Sequence, residues 1–138
     1  MSKVSADKVL EQAVNGLGTP YIFGADGGEK DTAWDCSGFV LDCLRDSGAQ
    51  PKTLPDMNAQ GIYNWASKNA LRITVKDAFN MPIALVYRHS KKVGKIVHIG
   101  FATNGTVIHA KGKDYGTIQE PAKYSNWTHA TTIPNVLI

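Results

Sequence analysis

The apolar residues of this chain change their period once, near residue 70, and that change limits the fold more than any other feature. Up to that point they recur at helical spacing. The segment 5–18, "SADKVLEQAVNGLG", reads as a helix that Ser5 can cap and Gly18 can end, with Val9, Leu10, Ala13, Val14 and Leu17 on one face. A second helix is expected over 36–48, "CSGFVLDCLRDSG", with Phe39, Val40, Cys43 and Leu44 inward and Gly48 as its stop. A third is expected in "LPDMNAQGIYNWASKNA" (54–70), capped by Asp56. Between the first two lies a glycine-rich stretch, "TPYIFGADGGEKDTAWD" (19–35), read as a surface loop. Beyond residue 70 the period is two. "RITV", "IALVYR", "IVHIGFAT", "TVIHAKG", "GTIQEP" and "HATTIP" read as short strands. Helices first and strands after predict an α+β domain, N-terminal helices packed on a C-terminal antiparallel sheet.

With 138 residues the chain is expected to form one domain, 1–138, able to bury a core without disulfide or metal staples. The net charge of +3 is too small, and the lysines too scattered, to predict a nucleic-acid partner. The "HSKKVGK" run (89–95) reads as a solvated loop. The mild excess would still favour approach to an anionic surface. No stretch approaches the ~20 apolar residues of a membrane span. The opening "MSKVSADKVLEQ" has no uninterrupted apolar run of the kind a secretory signal needs. Synthesis in the cytosol, or origin as a domain of a longer chain, is the expectation, with a monomer as the default.

The chain has two cysteines. Cys36 falls in the first turn of the second predicted helix, where free backbone N–H groups and the positive dipole end favour a thiolate. Gly38 keeps crowding near the sulfur low. Cys43 lies two turns on, roughly 10 Å along the axis, beyond the ~7 Å between Cα atoms that a disulfide spans. Among Val40 and Leu44 it reads as core. Cys36 is a nucleophile only if a base stands beside it; otherwise it too is a small buried residue.

Four histidines are candidates. His89 and His129 carry no partner signal. His98 and His109 flank "TNGT", and Asn104-Gly105 predicts a two-residue hairpin turn that pairs Thr103 with Thr106. In that register His98 faces Lys111 and His109 faces Gly100. The two imidazoles then share one face as diagonal neighbours, ~7–8 Å apart, and Gly100 leaves room for the His109 ring. Val97, Ile99, Phe101 and Ile108 would line the other, apolar face. The alternative is that both imidazoles are half-exposed polar residues on a wet face. Zinc would need a third or fourth ligand at short spacing, and the chain has neither H-E-x-x-H nor paired C-x-x-C. A serine triad lacks its G-x-S-x-G.

"GTPYIFGA", "WDCSGFV", "VHIGFATNGTVIHAKG", in that order, resemble the NlpC-type cysteine peptidases, papain-like enzymes that cut the peptide part of peptidoglycan. The resemblance runs from about Gly18 to Lys111. It implies a papain-like fold, Cys36 as nucleophile, His98 as general base and His109 as the residue orienting that base. It implies that His98 holds Cys36 as thiolate in an ion pair. It suggests Tyr21 as an oxyanion ligand beside the Cys36 N–H. Asp35 and Ser37 fall where the family lines its substrate groove, although helix capping would also account for them. The implied partner is the peptidoglycan stem peptide, with no metal and no cofactor. Phe23 and Ala25 stand where tryptophan or tyrosine and a second glycine are usual, and "PIALVY" stands where "PGDLVF" is typical. The ending "HAKGKDYGTIQEP" is similar to phage lysins, which act on the wall after release or delivery, some with a separate wall-binding domain. The implied reaction is endopeptidase cleavage. The same site could serve a muramoyl-peptide amidase or another acyl transfer, and the same groove could serve a non-catalytic wall-binding module.

Overall fold

The computed structural model describes residues 3–22 and 35–137. Residues 23–34, which carry most of the glycine-rich loop with Phe23 and Ala25, lie outside them. The order of elements is a short strand β1 (Val4–Ser5), helices α1 (Ala6–Asn15), α2 (Cys36–Asp46) and α3 (Ala59–Asn69), and strand β2 (Arg72–Ile73). There follow helix α4 (Val75–Phe79) and strands β3 (Ala84–Ser90), β4 (Lys95–Thr103), β5 (Thr106–Gly112), β6 (Gly116–Pro121), β7 (His129–Thr131) and β8 (Val136–Leu137). Six strands form one antiparallel sheet in the order β2-β7-β3-β4-β5-β6. The predicted α+β architecture is the one observed. β1 and β8 pair in parallel beside it, tying the two ends of the described chain together.

Helices α2, α3 and α4 begin where polar side chains cap them. Asp35 precedes α2 and its carboxylate accepts from the Gly38 N–H at 2.8 Å. Asn58, not Asp56, caps α3, accepting from Gly61 N–H at 2.8 Å. Asp56 instead pairs with Arg45 at 2.8 Å. Ser5 occupies the cap of α1 without a side-chain hydrogen bond. That helix ends at Asn15 and buries Val9 and Ala13, while Val14 and Leu17, expected inward, are exposed. "RITV" is not a continuous strand. Thr74 leaves β2 and caps α4, its hydroxyl accepting from Asp77 N–H at 3.0 Å.

The Asn104-Gly105 turn sets the hairpin as expected: Thr103 pairs Thr106, Ala102 pairs Val107 and Phe101 pairs Ile108. Both turn residues have positive φ, 43° and 86°, as a type I′ turn requires. One face of the sheet carries Ile99, Phe101, Ile108 and Ala110 into the main core against α2. Phe39 meets Phe101 edge to face, centroids 5.6 Å apart, an arrangement worth about 0.5–1.5 kcal/mol beyond burial. The opposite face carries a second, smaller core of Val86, Ala102, Val107, Trp127 and the α4 residues Ala78 and Phe79.

Candidate active site

Cys36 is the first residue of α2, and the end of that helix is pressed onto β4. The residue is 8% exposed. Hydrogen bonds from the backbone N–H groups of Ile99, Ser37 and Cys36 itself are available to the sulfur. Ile99 follows His98 directly, so the nucleophile candidate lies beside the strand residue that carries the base candidate. No side-chain hydrogen bond joins Cys36 to His98 among the described residues. Tyr21, Asp35 and Ser37 share with Cys36 a groove of about 520 Å³, closed on its other side by Val93, Lys95 and Val97. Asp35 both caps the helix and accepts from the Ser37 hydroxyl at 3.2 Å. The capping reading of Asp35 therefore holds within the groove wall. Val97, expected in the apolar core, is 37% exposed in this groove. A β-bulge between Arg88 and His89 opposite it shifts the register, and the extra residue turns outward.

The two histidines meet as the hairpin register requires. His98 Nε2 and His109 Nδ1 are 2.8 Å apart. Gly100 is the reason they can: a Cβ built there would stand 2.9 Å from His109 Cβ and 2.9 Å from Val107 Cγ2. They are not on a wet face. His98 is 6% exposed and His109 4%, because Trp127 lies over both rings, its centroid 5.5 Å from each. His109 Nε2 lies 2.6 Å from Glu120 Oε2, and Lys111 Nζ lies 3.1 Å from the other carboxylate oxygen. Sequence reasoning missed Glu120. The signal was present only as a diagonal across the next hairpin, because Val107 pairs Glu120 and His109 pairs Ile118.

This chain of contacts orders the protons. An ionised carboxylate can only accept, so His109 Nε2–H donates to Glu120. A neutral His109 then offers a bare Nδ1, and His98 Nε2–H donates to it. His98 Nδ1 is the nitrogen left without a proton, free to act as a base. His89 and His129 stand apart from this set. Their rings are 5.9 Å apart, and His129 Nδ1 is 2.7 Å from the hydroxyl of its neighbour Thr128, a local hydrogen bond outside the His98–His109 pair.

By sequence, no family model and no curated protein matches the chain. Solved structures do match it. The NlpC/p60 domain of the peptidoglycan hydrolase SagA superposes with a TM-score of 0.70 at 21% identity, covering 94% of this chain and 100% of that one. This chain has the NlpC/p60 fold. The P60 domain of an antigen from Mycobacterium avium subspecies paratuberculosis gives 0.67 at 21% identity, covering 94% of each chain. RipD from Mycobacterium tuberculosis, a non-catalytic NlpC/p60 domain protein adapted to peptidoglycan binding, gives 0.63 at 12% identity, covering 92% of this chain and 95% of that one.

Within this NlpC/p60 fold burial raises the thiol and lowers the imidazole, and so works against the ion pair that the resemblance implies. Burial, and then the neighbouring Asp35 charge, push the Cys36 thiol up to about 11 against the three backbone N–H groups. The helix N-terminus favours the thiolate, and desolvation outweighs it. Burial, followed by the charges of His109, Arg88 and Lys111, takes His98 down to about 3. Burial also lowers His109, outweighing the hydrogen bond and charge of Glu120. Burial works against the Glu120 carboxylate, but hydrogen bonds from His109 and Lys111 hold it below its ordinary value. No cluster of three or more metal-ligating side chains occurs among the described residues. No helix among them is long and apolar enough to cross a membrane.

Proposed function

We propose that this chain is a cysteine-dependent peptidoglycan hydrolase that cleaves an amide bond of the stem peptide as an endopeptidase. The observation that carries the reading is the His98–His109–Glu120 hydrogen-bonded chain, which leaves a bare imidazole nitrogen on the strand against which Cys36 is packed. The likeness in fold to SagA supports the substrate class. In this reading the thiol and imidazole rest neutral, as their burial favours, and the proton moves as the sulfur attacks. Cys36 Sγ bonds to the carbonyl carbon while its proton passes to His98 Nδ1. The Cys36 N–H and Tyr21 would stabilise the oxyanion. The C–N bond then breaks, and His98 returns its proton to the leaving amine. Water, deprotonated by the same imidazole, releases the acyl group and restores the thiol. The residues supply every proton step, so the reading uses no metal or cofactor. Action on the wall after release or delivery, in the manner of a phage lysin, is part of the same proposal, as is a single catalytic domain over 1–138.

A binding module is the reading from a different class, and the non-catalytic RipD shows that this fold can carry it. Cys36, His98 and His109 are all present here, which favours turnover. Mass spectrometry of muropeptides digested by the wild type and by Cys36→Ala separates the readings. New peptide termini with the wild type alone are expected. Release of whole stems from muramic acid would make the enzyme an amidase, and digestion surviving in Cys36→Ala would end the thiol mechanism.

A further inference from the structure

Strand β4 is paired on one side only where it borders the Cys36 groove. Its register with β5 covers Phe101, Ala102 and Thr103. Its register with β3 breaks at the bulge, which leaves Val97 without an opposite residue. Two N–H groups of this stretch are used outside the sheet. The Ile99 N–H is available to the Cys36 sulfur. The Ile96 N–H donates to Gln60 Oε1 on α3 at 2.8 Å. A backbone N–H can only donate, so the amide oxygen of Gln60 faces it, and the amide nitrogen turns to Asn64 Oδ1 at 3.0 Å. Ile96 is 3% exposed, so without Gln60 its N–H would be a buried donor left unpaired.

Both ends of this bond belong to walls of the groove. Asn58 and Ala59, at the start of α3, line it with Cys36, and so do Lys95, Ile96 and Val97 of β4. Ile62 and Ala66 anchor the later turns of α3 in the core, whereas the first turn is joined to β4 through Gln60. Among the described residues no other side-chain hydrogen bond joins these two elements. We propose that Gln60 is a positioning residue of this site: it holds Ile96, and with it Lys95 and Val97, against the first turn of α3 and so sets the width of the groove that receives the substrate. The inference rests on the hydrolase reading above and adds a residue that the chemistry does not touch. Cys36 is placed by α2 and the histidine pair by the β4–β5 hairpin, so neither is placed by Gln60. A groove wall meets the substrate in the ground state and the transition state alike, and the loss of such contacts raises KM with little change in kcat.

The test compares Gln60→Leu, Gln60→Glu and Asn64→Ala with the wild type on a synthetic stem peptide, each below its melting transition. Leucine has nearly the helix propensity of glutamine but offers no acceptor. Gln60→Leu should raise KM about tenfold, the scale of one buried donor left unpaired, and keep kcat within about twofold. Alkylation of Cys36 by iodoacetamide, a probe too small to need the groove, should keep its wild-type rate. Gln60→Glu retains an oxygen for the Ile96 N–H and should return KM close to wild type. Asn64→Ala removes only the partner of the amide nitrogen and should leave KM as it is. A role in stability alone would lower the melting temperature of Gln60→Leu without moving KM, and that result would overturn the proposal. So would a KM that Gln60→Glu does not restore, a rise of the same size in Asn64→Ala, or an alkylation rate that falls in step with turnover. A wild type that does not turn over the peptide would count against the hydrolase reading instead. Calorimetry of the same peptide on Cys36→Ala, with and without Gln60→Leu, then decides the groove separately. Binding weakened by Gln60→Leu supports the proposal, and equal or absent binding overturns it.

Discussion

The two faces of β4 are both buried, by opposite means. Ile99 and Phe101 face α2 and are covered by aliphatic and aromatic side chains. His98 and Gly100 face the other way, where buried imidazoles are held by a carboxylate and covered by Trp127. The first face loses stability in proportion to the volume removed. The second depends on every polar atom keeping its partner and on one residue having no side chain. A core can be repacked; a hydrogen-bonded relay with fixed proton positions cannot be repacked without changing what it does.

The sharpest contrast is between truncating one face and crowding the other. Phe101→Ala should lower unfolding free energy by about 3–5 kcal/mol, read by urea titration, while leaving the Cys36 alkylation rate of the folded protein near wild type. Gly100→Ala should cost less stability, about 1–3 kcal/mol as overpacking does, yet abolish most turnover, because the added methyl must displace His109 and Val107 and crowd Trp127. If Gly100→Ala keeps full activity, the close approach of the two strands is not what sets the histidine pair.

Acid should separate the faces next. His98 is nearly fully buried, and its folded value of about 3 lies below the ordinary 6.5. The unfolded chain therefore binds more protons between those values, and stability falls as pH drops through that window. From pH 6.5 to 5 one such group accounts for up to about 2 kcal/mol, at 1.36 kcal/mol per unit. Thermal melts at pH 7 and pH 5 should show that loss, and His98→Gln, which cannot take up the proton, should show a smaller one. A slope unchanged by His98→Gln would place the titrating group elsewhere.

What was legible in the sequence was what short-range chemistry decides. Asn104-Gly105 admits few turns, so the hairpin register followed and the histidine pairing with it. The α2 pattern placed Cys36 at a helix start and Cys43 in the core. The errors came from competition between neighbours or from contacts far apart in the chain. Asp56 and Asn58 are both good caps, and the nearby Arg45 took Asp56. The bulge that turns Val97 outward is a property of two strands, not of one. The burial of the histidine face is delivered by α4 and Trp127 from either side of the hairpin. Glu120 lies two registers from anything that pointed to it.

The smallest effect expected is at Glu120, and it bears on the proton order. Glutamine there keeps an oxygen that His109 Nε2–H can donate to, so the ring need not move. It removes the charge, and the difference between a charged and a neutral hydrogen bond is about 1 kcal/mol. Glu120→Gln should therefore fold normally and lose activity by roughly tenfold or less, whereas Glu120→Ala should lose more because His109 Nε2–H is then unpaired. Activity alone would not distinguish proton order from packing, so the measurement that matters is the ¹⁵N shift of the imidazole nitrogens. The wild type should show His109 protonated at Nε2 and His98 protonated at Nε2, with both Nδ1 atoms bare. An amide can also donate, which would let His109 turn a bare nitrogen to the introduced carboxamide and reverse both rings. Glu120→Gln should accordingly show a second population of tautomers that the wild type lacks. A single, unaltered tautomer pattern in both Glu120→Gln and Glu120→Ala would mean that burial against Trp127 sets the proton order and that Glu120 only packs beside it.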